Sequence, residues 1–237
     1  MLELKNITYT VKDGKNKKDI LSDISLSFVK NKINVITGQN GSGKSSIVKL
    51  IMGINKPNDG AIIWQGKDIT KLTITERAKL GITIAFQQPI KFKGLSVKDL
   101  LDIASNKTNT LSEACDYLSK VGLCAKDYIN REINDELSGG ELKRIELAIA
   151  LAKGGKLFLF DEPEAGIDLW SFENLINLFK KINDATVIIV SHQQKILSMA
   201  DNIILLSPNC PAVSGKPSKM LPLIDKNSCM RLGGQNE

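Results

Sequence analysis

The chain has 237 residues, 42% of them hydrophobic and 24% charged, which is enough for a packed core and too apolar for a disordered chain. Its apolar runs, such as 157–160 and 187–190, fall far short of the ~20 residues of a membrane helix. Its first ten residues hold no signal-peptide core, so a cytoplasmic protein is expected. Four scattered cysteines without a CxxC pair, and a single histidine, argue against a zinc site. The net charge of +6 invites a nucleic-acid reading, but 28 lysines against 4 arginines make that signal weak.

Residues 2–11 and 21–29 alternate apolar and polar positions across a lysine-rich turn at 13–19, which predicts a two-stranded hairpin or edge sheet. Residues 33–37 read as a short apolar strand that runs into a glycine-rich stretch at 38–45. A helix over 46–52 follows, closed by Gly53. The sequence KPNDG at 56–60 is turn chemistry ahead of a strand at 61–64. Another apolar strand is read at 82–86, and helical spacing covers 97–123 with a polar break at 105–109. A clear helix spans 141–153. Strands at 157–160, 186–190 and 203–206 follow, with a helix over 169–182 between the first two. Strands alternating with helices predict an α/β fold with a mostly parallel central sheet. No internal repeat is visible, and the Pro-, Ser- and Lys-rich tail over 208–237 receives no assignment.

Residues 38–45, GQNGSGKS, fit the pattern G-x-x-x-x-G-K-[ST] between a strand and a helix. Glycines at Gly38, Gly41 and Gly43 let the backbone around Gln39, Asn40 and Ser42 curl into a nest of N–H groups for phosphate oxygens. The helix that begins near Ser46 adds positive potential at its N-terminus. Lys44 reaches the β- and γ-phosphates, and the Ser45 hydroxyl is placed for Mg²⁺. Such a site also wants an aspartate after a buried strand, and Asp161 supplies it. Glu162 follows directly, where a carboxylate can orient or deprotonate an attacking water.

Taken together, these motifs resemble the ATP-binding cassette (ABC) ATPases over roughly residues 2–206. Leu137, Ser138, Gly139, Gly140 and Glu141 resemble the signature LSGGQ, with Lys143 and Arg144 after it. Gln87 sits where the Q-loop glutamine follows its strand. Ala165, Gly166, Ile167 and Asp168 look like the D-loop, and Ser191-His192 like the switch histidine. The resemblance implies a single cassette over 1–237 with a RecA-like P-loop NTPase core. It also implies an N-terminal antiparallel β subdomain and a small helical subdomain at about 88–140.

The same resemblance implies ATP and Mg²⁺ as cofactors. It makes Glu162 the base, His192 the γ-phosphate sensor, and Ser45, Gln87 and Asp161 the metal residues. Ser138, Gly139, Gly140 and Glu141 would face the nucleotide of a second copy, giving an ATP-dependent dimer. The serine hydroxyl, glycine amides and helix N-terminus have the chemistry of an anion site. The family's adenine-stacking aromatic aligns at Val11, and Tyr9 either substitutes for it or belongs to the core. Glu141 in place of glutamine puts a negative charge near a phosphate-facing helix end.

Within the family, FQQP at 86–89, SGGE-x-K-R at 138–144 and the acidic Glu164 before Ala165 resemble SufC, the ATPase of iron–sulfur cluster assembly. That resemblance implies a SufB/SufD-like scaffold as partner. The alternative is the transmembrane domain of an ABC transporter. On either reading the partner surface is expected around 89–95, and no nucleic acid is expected. Cys210 and Cys229 lie in the unassigned tail.

Overall fold

The computed structural model describes residues 1–13, 16–88, 92–134, 137–208 and 210–225. Pro89 and Cys229 therefore lie outside the described residues.

The N-terminal alternation forms an antiparallel sheet. Strands β1 (Leu2–Asp13) and β2 (Asn16–Phe28) pair with Leu2 opposite Phe28 and Leu4 opposite Leu26. Strand β3 (Ile33–Gly38) leads into helix α1 (Lys44–Met52). Strand β4 (Asp59–Trp64) then returns to pair with β1, and the two-residue β5 (Lys67–Asp68) pairs with β4, giving the order β2-β1-β4-β5.

Helix α2 (Ile74–Lys79) precedes β6 (Ile82–Ala85). Strand β7 (Phe92–Ser96) follows, then helices α3 (Val97–Ser105), α4 (Leu111–Lys120) and α5 (Ala125–Tyr128), and strand β8 (Glu132–Ile133), which pairs with β7. Helix α6 (Gly139–Lys153) and β9 (Leu157–Asp161) come next. The remaining elements are α7 (Leu169–Lys180), β10 (Thr186–Val190), α8 (Gln194–Met199) and β11 (Asn202–Leu206). The chain closes with β12 (Val213–Gly215) and α9 (Pro217–Asp225).

The central sheet runs β12-β11-β3-β10-β9-β6. Its strands are parallel except for β12. Both faces are covered, which is why these strands read as unbroken apolar runs. Alternate residues enter different cores. Val35, Phe158, Phe160, Val187 and Ile189 pack on one side with α6 and with Val97, Leu101 and Leu118 of α3 and α4. Ile36, Leu157, Leu159, Ile188 and Val190 pack on the other, against α1 and the antiparallel sheet.

Register brings the strand ends together. Val190 lies beside both Ile36 and Asp161, and Ala85 lies beside Phe160. The carboxyl ends of β3, β10, β9 and β6 therefore open onto one edge, the usual ligand edge of a parallel sheet.

Four helix starts carry reciprocal capping boxes: Thr73 with Glu76, Ser96 with Asp99, Thr110 with Glu113, and Ser138 with Glu141. At its other end, α1 is held by the fully buried Arg77. The Arg77 guanidinium donates to the carbonyls of Leu50 at 2.6 Å, Ile51 at 2.8 Å and Thr70 at 2.8 Å. A cation at a helix C-terminus meets both its charge and its unpaired carbonyls, which offsets the cost of burying it.

Part of the tail left unassigned by the sequence belongs to the fold. Strand β12 pairs antiparallel with β11, Ile203 facing Gly215, and Met220 of α9 is fully buried in the core.

Candidate active site

Glycine chemistry shapes the turn from β3 into α1. Gly38, Gly41 and Gly43 have φ of 142°, 82° and 90°. These values suit glycine and few other residues. Lys44 opens α1, and its ammonium folds back over the loop to donate to the carbonyls of Gly38 at 2.9 Å and Gln39 at 2.8 Å. Burial lowers the Lys44 pKa, while the nearby charges of Glu162 and Asp161 oppose that shift.

Ser45 donates to Asp161 Oδ1 at 2.9 Å. Asp161 is buried at the end of β9, and burial pushes its carboxyl up; the Ser45 bond opposes the rise and Glu162 adds to it. Ser42 Oγ is buried without a hydrogen-bond partner among the described residues. An orphaned hydroxyl inside a phosphate-type loop, beside a serine–aspartate pair of hard oxygen donors, fits a phosphate group and Mg²⁺.

Glu162 follows Asp161 with φ of +46°, a left-handed conformation that is strained in a non-glycine residue. Its backbone N–H donates to Val190 O at 3.0 Å, and its Oε2 accepts from Gln87 Nε2 at 2.7 Å. His192 follows β10. Partial desolvation lowers its pKa, Lys44 lowers it further, and Glu162 opposes.

One open cleft of about 610 Å³ collects Asn40, Gly41, Gly43, Lys44, Ser45 and Ser46 from the loop and helix. It also collects Gln87, Glu162 and His192 from three other strand ends, and its size suits a nucleotide. Gly38 and Gln39 lie behind, supplying carbonyls to Lys44.

Two groups of sequence candidates lie elsewhere. Tyr9 does not line the cleft; it packs against the core between the sheets, and Ile20 takes a place on the wall. Ser138, Gly139, Gly140 and Glu141 form the start of α6, outside that cleft. Gly140 is packed tightly there, since a Cβ on it would lie 2.7 Å from Gly166 O.

The extra charge at Glu141 is fully engaged within the chain. Its Oε2 accepts from the Ser138 backbone N–H at 2.7 Å, and its other oxygen accepts a short bond from the Tyr128 hydroxyl. The Tyr128 bond, then those from Ser138, hold the Glu141 carboxyl down at about 2. Its stabilising effect is complete above the ordinary carboxylate range and is lost as pH falls through about 2. Tyr128→Phe should move the Glu141 titration, followed by carboxyl NMR, back toward the ordinary range and cost about 1 kcal/mol of stability. An unmoved titration would show that the Tyr128 bond does not set it.

The sequence reading named Ser191 and Glu164 but not the contact between them. Ser191, fully buried before His192, donates to Glu164 Oε1 and accepts from the Gln193 backbone N–H at 3.0 Å. Burial pushes the Glu164 carboxyl up. The only sequence signal for this contact was the acidic residue at 164.

A parallel sheet with a phosphate loop at its carboxyl edge and an Asp-Glu pair at the end of the next strand but one defines a P-loop nucleotide hydrolase. Residues 21–165 match the family model described as ABC transporter. An uncharacterised ABC transporter ATP-binding protein of Methanocaldococcus jannaschii is 35% identical over 216 residues, covering 87% of this chain and 86% of that protein. The probable ATP-dependent transporter ycf16 of Trieres chinensis is 32% identical over 213 residues, covering 83% of each. Among solved structures, a dimeric ATP-binding cassette, MJ0796, in a post-hydrolysis state bound to ADP and Pi superposes with a TM-score of 0.82 at 26% identity. It covers 92% of this chain and 99% of that one. The chain belongs to the ABC transporter family of ATP-binding cassettes. It is an ATP-hydrolysing cassette that uses ATP with Mg²⁺. No helix among the described residues is long and apolar enough to cross a membrane.

Proposed function

We propose that this cassette hydrolyses ATP in a closed pair of copies and drives the transmembrane domain of an ABC transporter. The observation that carries the reading is the gathering of Lys44, Ser45, Gln87, Glu162 and His192 around one cleft.

The loop amides from Gly38 to Ser45 and the N-terminus of α1 hold the phosphates. Lys44 leaves its two carbonyl partners and meets the β- and γ-phosphate oxygens. Ser45, Asp161 and Gln87 would hold Mg²⁺, which would supply positive charge to those oxygens. Glu162 orients the attacking water and takes its proton. As the water oxygen bonds to the γ-phosphorus, the bond to the ADP oxygen breaks. His192, whose pKa desolvation and Lys44 lower, donates a hydrogen bond to the γ-phosphate. Ser138 and the amides of Gly139 and Gly140 meet the nucleotide of the second copy. Residues 88–140 act as the helical subdomain that carries them.

The transporter reading draws support from the names of the relatives, an ABC transporter ATP-binding protein and a probable ATP-dependent transporter. A second reading, a SufC-like ATPase acting on a SufB/SufD-like scaffold, is favoured by Glu141 with Lys143 and Arg144 after Ser138-Gly139-Gly140. Affinity purification from the native host separates the two. A polytopic membrane protein is the expected partner. A soluble β-helical scaffold in its place would overturn the transporter reading.

A further inference from the structure

Lys143 and Glu146 lie one turn apart on α6, and their side chains are 1% and 15% exposed. Such a pair gains little over apolar residues of the same size unless it does something else. Lys143 Nζ sits 3.2 Å from Glu146 Oε2. Both residues also reach across to β6, where the strand ends at Ala85. The Phe86 backbone N–H donates to Glu146 Oε1 at 2.7 Å, and the Phe86 carbonyl accepts from Lys143 Nζ. A longer contact of 3.5 Å runs from Lys143 to the carbonyl of Gln87.

The sheet ladder stops supplying partners to this segment after Ala85, and the ion pair takes over. Both polar groups of the Phe86 peptide are held by one helix. This fixes the direction in which the chain leaves the sheet. The next residue, Gln87, then extends to Glu162 at 2.7 Å. Further along, Lys153 donates to Ile82 O at 3.1 Å and Thr83 donates to Gly154 O at 2.6 Å. Helix α6 and its C-cap Gly154 are therefore tied to the start of β6 and to Phe86 just past its end.

We propose that Lys143 and Glu146 are positioning residues that set Gln87 for the metal and for Glu162, linking the helix that begins at Ser138 to the cleft within one chain. The proposal rests on the reading of Gln87 as a metal residue. A purely structural pair would only hold α6 against β6.

The double variant Lys143→Met/Glu146→Met removes both charges at once and leaves neither unpaired. Thermal unfolding of the full chain with ATP is followed while Mg²⁺ is titrated, since a ligand bound to the folded state raises the midpoint. The double variant should unfold close to wild type without nucleotide and bind ATP normally in EDTA. It should need roughly tenfold more Mg²⁺ to reach half of the stabilisation, as expected when a group that orients a metal ligand is lost.

A wild-type Mg²⁺ requirement in the double variant would overturn the proposal. Gln87→Ala is the reference. If it shifts the requirement and the double variant does not, only the pair's role falls. If Gln87→Ala shifts nothing, both readings fall. Should the double variant not fold, Glu146→Gln, which keeps an acceptor for the Phe86 amide, should raise the requirement in the same direction. An unchanged value there would also overturn the proposal.

Discussion

Glu162→Gln is expected to bind ATP as the parent does and to hydrolyse it at least ~10²-fold more slowly. The substitution keeps size and shape but cannot take a proton from water. The strained φ of +46° is accompanied by two backbone bonds, from the Glu162 N–H to Val190 O and from the Ala165 N–H to Glu162 O, neither of which depends on the carboxylate. The local backbone should therefore survive. ATP that binds and does not turn over should accumulate two closed copies. Size-exclusion chromatography with MgATP would show these as a species of doubled mass that the parent protein forms only transiently. Steady-state turnover near the parent rate would remove Glu162 from the role of base. Slow turnover without the larger species would separate hydrolysis from pairing.

Gly38→Ala should be more disruptive than a methyl added at any other described glycine. Gly38 ends β3 opposite Leu206 of β11, with φ of 142°. A Cβ there would fall 1.9 Å from Leu206 O, a backbone atom of the central sheet that cannot rotate away. Either β11 separates from β3 or the loop moves. Overpacking of this kind, added to an unfavourable φ, should cost about 3 kcal/mol or more. Because Gly38 opens the phosphate loop, ATP binding should fall with stability. Denaturant unfolding and nucleotide titration together check this. Gly41→Ala is the internal comparison, since a Cβ at Gly41 meets nothing within 4 Å. It carries the strain of a φ of 82° without the clash. Equal losses at both positions would mean that the turn, and not the contact with Leu206, makes Gly38 necessary.

The central strands were legible in the sequence because they are buried on both faces, so apolar residues run without a break over 157–160 and 187–190. The phosphate loop was legible because its chemistry is contiguous. Helix α2 was missed although Thr73 and Glu76 spell its capping box; six residues show too little periodicity to read. Strands β7, β8 and β12 were missed for another reason. Phe92 finds Ile133 and Gly215 finds Ile203 only after the chain has folded, and such short segments carry no pattern alone.

The sequence left Tyr9 between an adenine-stacking place and the core because register along β1 was not legible. Counting by twos along β1 assumes a regular pleat, but its pairing with β2 shifts between Leu4 and Ile7, between Ile7 and Tyr9, and between Tyr9 and Thr10. Each irregularity re-aims the side chains beyond it. Ile20, on the neighbouring strand, reaches the cleft instead. The bond between Gln87 and Glu162 joins residues 75 positions apart, so only the fold reveals it.

The short strand β12 also acts as a guard. It covers the outer side of β11, whose residues Asn202, Ile203 and Ile204 are buried. Cutting the chain after Leu206 would bare a row of unpaired N–H and C=O groups on an apolar strand. Such an edge recruits any extended segment within reach, including the same strand of another molecule. A shortened protein would then associate edge to edge, through strand pairing and without needing the nucleotide. Oligomers of such a protein would be the first stage of aggregation and would carry no information about ATP-driven pairing.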